Sequence, residues 1–86
     1  MVTVIDNGGK SQETAIIIKE ATYSEGIAME YEYIEKLYGT RGEGWQLNDQ
    51  ALIEDKGHQI DQLEIILKDG TKISFFFDIT EFFDKW

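Results

Sequence analysis

Chemistry in this 86-residue chain must come from one imidazole, its hydroxyls and its many carboxylates, because cysteine is absent. His58 stands in a Lys56-Gly57-His58 turn, with no flanking hydroxyl placed for a base to activate. It reads as a solvated turn residue. Gly39-Thr40-Arg41-Gly42-Glu43-Gly44 is rich in glycine but lacks the Lys-Ser/Thr pair of a phosphate loop, and Glu43 would repel a phosphate. No Asp-x-Asp-x-Asp-Gly loop is present for calcium. Glu54, Asp55 and Asp61 could gather oxygens for Ca²⁺ or Mg²⁺ across a 54–61 hairpin, but a solvated acidic turn is the favoured reading. The expectation is a chain with no catalytic constellation, no metal centre and no cofactor.

One carboxylate is out of place. Glu30 falls between Ile27 and Ile34 on the apolar side of a helical pattern. A carboxyl pushed toward a core has its pKa raised unless it is paired. Three placements are open: the border of the stripe with its head in water, a pairing with a Lys, Arg or Tyr hydroxyl from the sheet, or the wall of a pocket. The aromatic residues are the second anomaly. Tyr23, Tyr31, Tyr33 and Tyr38 stud the same segment, and Trp45 follows it. Tyrosines commonly bury their rings and keep their hydroxyls wet. Tyr33 and Met29 lie off the main stripe, and exposed Tyr and Met ringed by acids would suit a contact surface.

The segment that positions these groups runs from about 22 to 38. Thr22-Tyr23-Ser24-Glu25 fits a capping box, Tyr23, Ile27, Ile34, Leu37 and Tyr38 share one side, and Gly39 stands where a cap residue belongs. This is the one long helix expected. Before it, the β-branched residues 2–5 and 14–20 predict a hairpin around Asp6-Asn7-Gly8-Gly9. After it, Trp45, Leu47, Ala51 and Ile53 share one parity that Asp49 breaks, so a bend or bulge is expected near 48–50.

Gln59 to Leu67 alternates, and the Lys68-Asp69-Gly70 turn tests register. A three-residue loop pairs Ile65 with Ile73 and Leu63 with Phe75, which makes one face coherently apolar; a two-residue loop does not. Asp78-Ile79-Thr80-Glu81 resembles a second capping box, with Phe82, Phe83 and Trp86 in a terminal helical turn. The order β-β-α-β-β-β plus that turn predicts a single α+β domain over residues 1–86: two layers, one main helix on one face of an antiparallel sheet.

Seventeen Asp and Glu stand against eight Lys and Arg, a formal charge of −9 at pH 7. The eight cations are scattered singly, so neither direct nucleic-acid binding nor attachment to an anionic membrane is expected. No apolar run approaches a membrane span and no signal peptide is visible, which points to a cytoplasmic domain. The leading expectation is a non-enzymatic interaction module that binds another protein or its own copy as a small homo-oligomer. It would use Tyr33 and Met29, or the second sheet face at Ile66 and Phe76. A rival is an acidic inhibitor or nucleic-acid mimic that presents Glu25, Glu32 and Glu35, with Glu43 beyond, to a basic groove. A third reading is a small-ligand binder or enzyme with a helix–sheet cleft built on Glu30, Tyr31 and Trp45.

Overall fold

The computed structural model describes residues 2–83. Its elements follow the chain as β1 (Thr3–Ile5), β2 (Ile16–Lys19), α1 (Tyr23–Tyr38), β3 (Trp45–Asp55), β4 (His58–Leu67) and β5 (Lys72–Asp78). The five strands form one sheet in the order β1-β2-β5-β4-β3, with α1 on one face. The α+β class is as the sequence suggests. The sheet is mixed, however, rather than wholly antiparallel: β2 runs parallel to β5, with Ile16 opposite Phe77. The parallel pairing joins the N-terminal hairpin to the β3-β4-β5 meander, and the Phe76 amide adds a bond to the Gly9 carbonyl at 2.9 Å.

α1 starts where its capping chemistry dictates. The Thr22 hydroxyl accepts from the Glu25 amide, and the Glu25 carboxylate accepts from the Thr22 amide. The Thr22 amide first, and then the Thr22 hydroxyl, hold the Glu25 carboxyl below its usual pKa. The stripe that α1 buries runs through Gly26, Glu30 and Ile34. That is a rotation from the expected stripe, and it leaves Leu37 54% exposed. Gly26 is required by space rather than conformation: a Cβ there would lie 2.3 Å from Cζ of Phe82, whose fully buried ring presses on the helix.

The β4–β5 hairpin takes the three-residue loop. Ile65 pairs with Ile73 and Leu63 with Phe75, while the Leu67 amide donates to the Thr71 carbonyl at 2.8 Å. Gly70, at φ 90°, occupies the positive-φ position that the loop needs. Leu63, Ile65, Phe75 and Phe77 therefore face α1, joined by Ile16 and Ile18 of β2. β3 contains the expected bulge, between Leu47 and Asp49. Its consequence differs from the simple parity reading. Leu47 pairs with Ile65 on the helix side, but past the extra residue Gln50 pairs with Leu63 and Leu52 with Asp61. The bulge thus turns Ala51 and Ile53 to the outer face, away from Trp45 and Leu47.

Residues 80–83 form a turn in which the Phe82 amide donates to the Ile79 carbonyl. The second capping box is not made. Asp78 accepts from the Thr80 amide and hydroxyl, but Glu81 reaches away to the Glu20 amide at 2.8 Å. Trp86 lies outside the described residues.

Candidate functional site

Glu30 is the centre of the helix–sheet contact, not its border. It is 0% exposed, and neither carboxyl oxygen has a hydrogen-bond partner in good geometry among the described residues. The group it faces is Asp61 of β4, itself 3% exposed. Asp61 has the parity of Leu63, Ile65 and Leu67, so the pleat that builds the core also carries this carboxylate under the helix. Gln50 of β3 holds it, its amide donating to the two carboxylate oxygens at 3.2 and 3.3 Å. The bulge at Asn48 makes that bond possible, because without the extra residue Gln50 would face outward.

Burial first, and then the neighbouring Asp61, push the Glu30 carboxyl up to about 10. At neutral pH Glu30 is therefore a protonated acid beside Asp61. Burial raises the Tyr31 hydroxyl, Arg41 acts against it in the lowering direction, and the two acids add to the rise. Tyr31 stacks on Trp45 at 6.2 Å, and the Arg41 guanidinium lies 5.0 Å from the Tyr31 ring centre. Trp45 is fixed by its indole N–H donating to the Gly39 carbonyl at 2.8 Å. Tyr31 thus lies between Glu30 and Trp45, but Trp45 is a sealed core residue and none of the three lines the cleft beside Asp61.

Asp61 and Gln50 reach the surface through a cleft of about 260 Å³. Tyr23 and Ile27 of α1 form one wall, β3 at Leu52 another, and Ile79 with Phe83 closes the end. The arrangement is apolar walls around a small polar floor, with an unpaired buried acid behind it. A floor of this kind suits a cation with an aliphatic stem: it would neutralise Asp61 and allow Glu30 to lose its proton. Among the described residues no three His, Asp or Glu side chains converge as a metal-ligand set. Glu54 accepts from the Gln59 side-chain amide across the hairpin, and the 54–61 acids do not converge as a ligand set among the described residues.

The other residues singled out from the sequence are placed as follows. Tyr33 and Met29 are half-buried against the core; the Tyr33 ring meets Phe75 and Phe77 edge-on, and its hydroxyl donates to Asp6. Ile66 and Phe76 are half-buried on the outer face, interleaved with Gln62, Glu64, Ser74 and Lys72. Glu25, Glu32 and Glu35 are exposed along α1, but each has a local partner: the Thr22 cap, Lys36 at 3.8 Å, and the Arg41 amide at 3.4 Å. Glu43 borders a hollow of about 400 Å³, whose polar groups Glu43, Gln46 and Lys68 are all exposed.

Two placements escaped the sequence reading. Asp61 was singled out only as part of an acidic hairpin, although its burial under the helix was signalled by an acid on the apolar parity of β4. The other is the partner of His58, whose Nδ1 lies 2.9 Å from Asp78 Oδ2 across the sheet. That contact depends on the β4–β5 register and has no local signature. No family model, no curated protein and no solved structure matches the chain.

Proposed function

We propose that this protein is a non-enzymatic binding module that captures a cationic group of a basic protein partner in the cleft floored by Asp61 and Gln50. The observation that carries the reading is Glu30: a fully buried carboxyl that no donor satisfies in good geometry among the described residues, set behind a second buried carboxylate at the foot of a cleft. An acid pair of this kind costs stability, and its cost falls when a positive charge enters. The rest of the surface supports the same sign of partner, since a charge of −9 attracts basic surfaces and orients their approach. The walls supply apolar contact for the methylene stem of a lysine or arginine.

The test is a titration of the ¹⁵N-labelled protein with n-butylammonium, with butanol as the uncharged counterpart. The expected result is saturable shifts confined to the amides of Tyr23, Gln50, Leu52, Asp61 and Phe83. Butanol leaves these unmoved, and Asp61→Asn weakens the ammonium response about tenfold. Shifts dispersed over the whole acidic exterior, or unchanged in Asp61→Asn, contradict the proposal.

A further inference from the structure

We infer that the free edge of β3 beside this cleft docks an extended basic segment of a partner protein, which adds a strand to the sheet and sends one lysine or arginine across β3 toward Asp61. The inference rests on the cleft reading and specifies its occupant. It begins from topology. β3 is the last strand of the sheet, paired with β4 along one side from Trp45 to Asp55, with no strand on its other side among the described residues. β1 ends the sheet at the opposite side with only three residues, whereas β3 has eleven.

Long edges are ordinarily blunted by lysine, proline, bulges or a covering segment. β3 contains no lysine, arginine or proline. Its bulge interrupts the edge at Asn48, and the Gln50 amide is already taken by the Asp49 carboxylate at 2.8 Å. Pairing is therefore confined to the stretch beyond, residues 51–55. The acids of β3 are Asp49, Glu54 and Asp55, unopposed by any cation of the strand. This edge repels an acidic strand and attracts a basic one. A second copy of this chain brings another −9 and is the wrong occupant.

The edge and the cleft are the same place. Leu52 is the cross-strand neighbour of Asp61 on the helix side, lines the cleft mouth and is 52% exposed. Strands lie about 4.8 Å apart, so a residue of an added strand opposite Leu52 has its backbone about 10 Å from that of Asp61. An extended lysine or arginine and an aspartate together span that gap, with the stem lying along Leu52. The Gln50 amide already draws the Asp61 carboxylate toward β3. Behind it, Glu30, which no donor satisfies in good geometry among the described residues, is the buried acid that the incoming charge serves. Main-chain pairing supplies the affinity in this mode, and the alternate side chain entering the cleft supplies the selectivity.

The experiment uses three blocked octapeptides on the full chain: alternating Val-Lys, alternating Val-Glu, and Val-Lys with every second amide N-methylated. The Val-Lys peptide is expected to slow amide exchange at residues 51–55 and to shift Leu52 and Asp61. N-methylation and the Glu peptide each reduce affinity at least tenfold, and Asp61→Asn reduces it about tenfold. If the N-methylated peptide binds as well as its parent, or protection appears at β1 instead, strand addition is overturned while n-butylammonium capture stands. If β3 is protected but Asp61→Asn has no effect on the peptide, the cross-strand contact is overturned. Loss of the n-butylammonium response alone overturns the cleft reading.

Discussion

Glu30 decides how the folded protein responds to pH. Its carboxyl is held near 10 in the folded chain against an ordinary value of 4.5. Between those values the folded state keeps a proton that the unfolded chain releases, so stability falls as pH rises. The full contribution is present below about pH 4.5 and is gone above about pH 10, where both states are ionised. At about 1.4 kcal/mol per unit, the folded state at pH 7 is disfavoured by about 3 kcal/mol, a large share of what so small a domain possesses. Glu30→Gln removes the titrating group and gives Asp61 a neutral donor. We therefore expect urea midpoints of the parent to drop from pH 5 to pH 9, while those of Glu30→Gln stay level and exceed the parent at pH 8. Parallel pH profiles for the two proteins would show that the Glu30 proton is not retained.

At the scale of elements, space overrides propensity at Gly26. Glycine inside a helix costs about 1 kcal/mol relative to alanine, so Gly26→Ala looks favourable from the helix alone. The Phe82 ring leaves no room for the added methyl. We expect Gly26→Ala to destabilise the protein by about 1–3 kcal/mol in urea titration, the cost of overpacking a closed site. Gly26→Ala combined with Phe82→Leu should recover part of that loss.

The same contrast between local and distant information separates what could be read from the sequence from what could not. The limits of α1 were legible because Thr22, Glu25 and Gly39 act on their own neighbours. The β4–β5 register was legible because only one loop length brings Leu63, Ile65, Phe75 and Phe77 to one face. The bulge was legible as Asp49 breaking parity, but its effect on Ala51, Ile53 and Gln50 depends on where the extra residue is inserted. The parallel β2–β5 pairing had no local signal, since Ile16 and Phe77 meet only after α1, β3 and β4 are in place. Glu30 was visible as an anomaly on a helical wheel. Its partner was not, because Asp61 reaches it through the sheet's pleat and the packing of α1.

Across the whole molecule, one layer of helix over one sheet leaves little apolar core to spare, and a buried acid pair is an expensive feature in it. Among the described residues no helix is long and apolar enough to cross a membrane. The surface charge, the cleft and the open edge of β3 lie within one small body. On the proposed reading the acid pair has a use, since a cationic ligand would relieve the cost that the fold leaves in place. The account therefore depends on Glu30 holding its proton in the unliganded protein. The most direct measurement is the ¹³C chemical shift of the Glu30 side-chain carboxyl followed from pH 3 to pH 10. The account predicts that this carbon is still in its protonated form at pH 8, and that saturating n-butylammonium moves its midpoint downward. A midpoint near 4.5 in the free protein would contradict it.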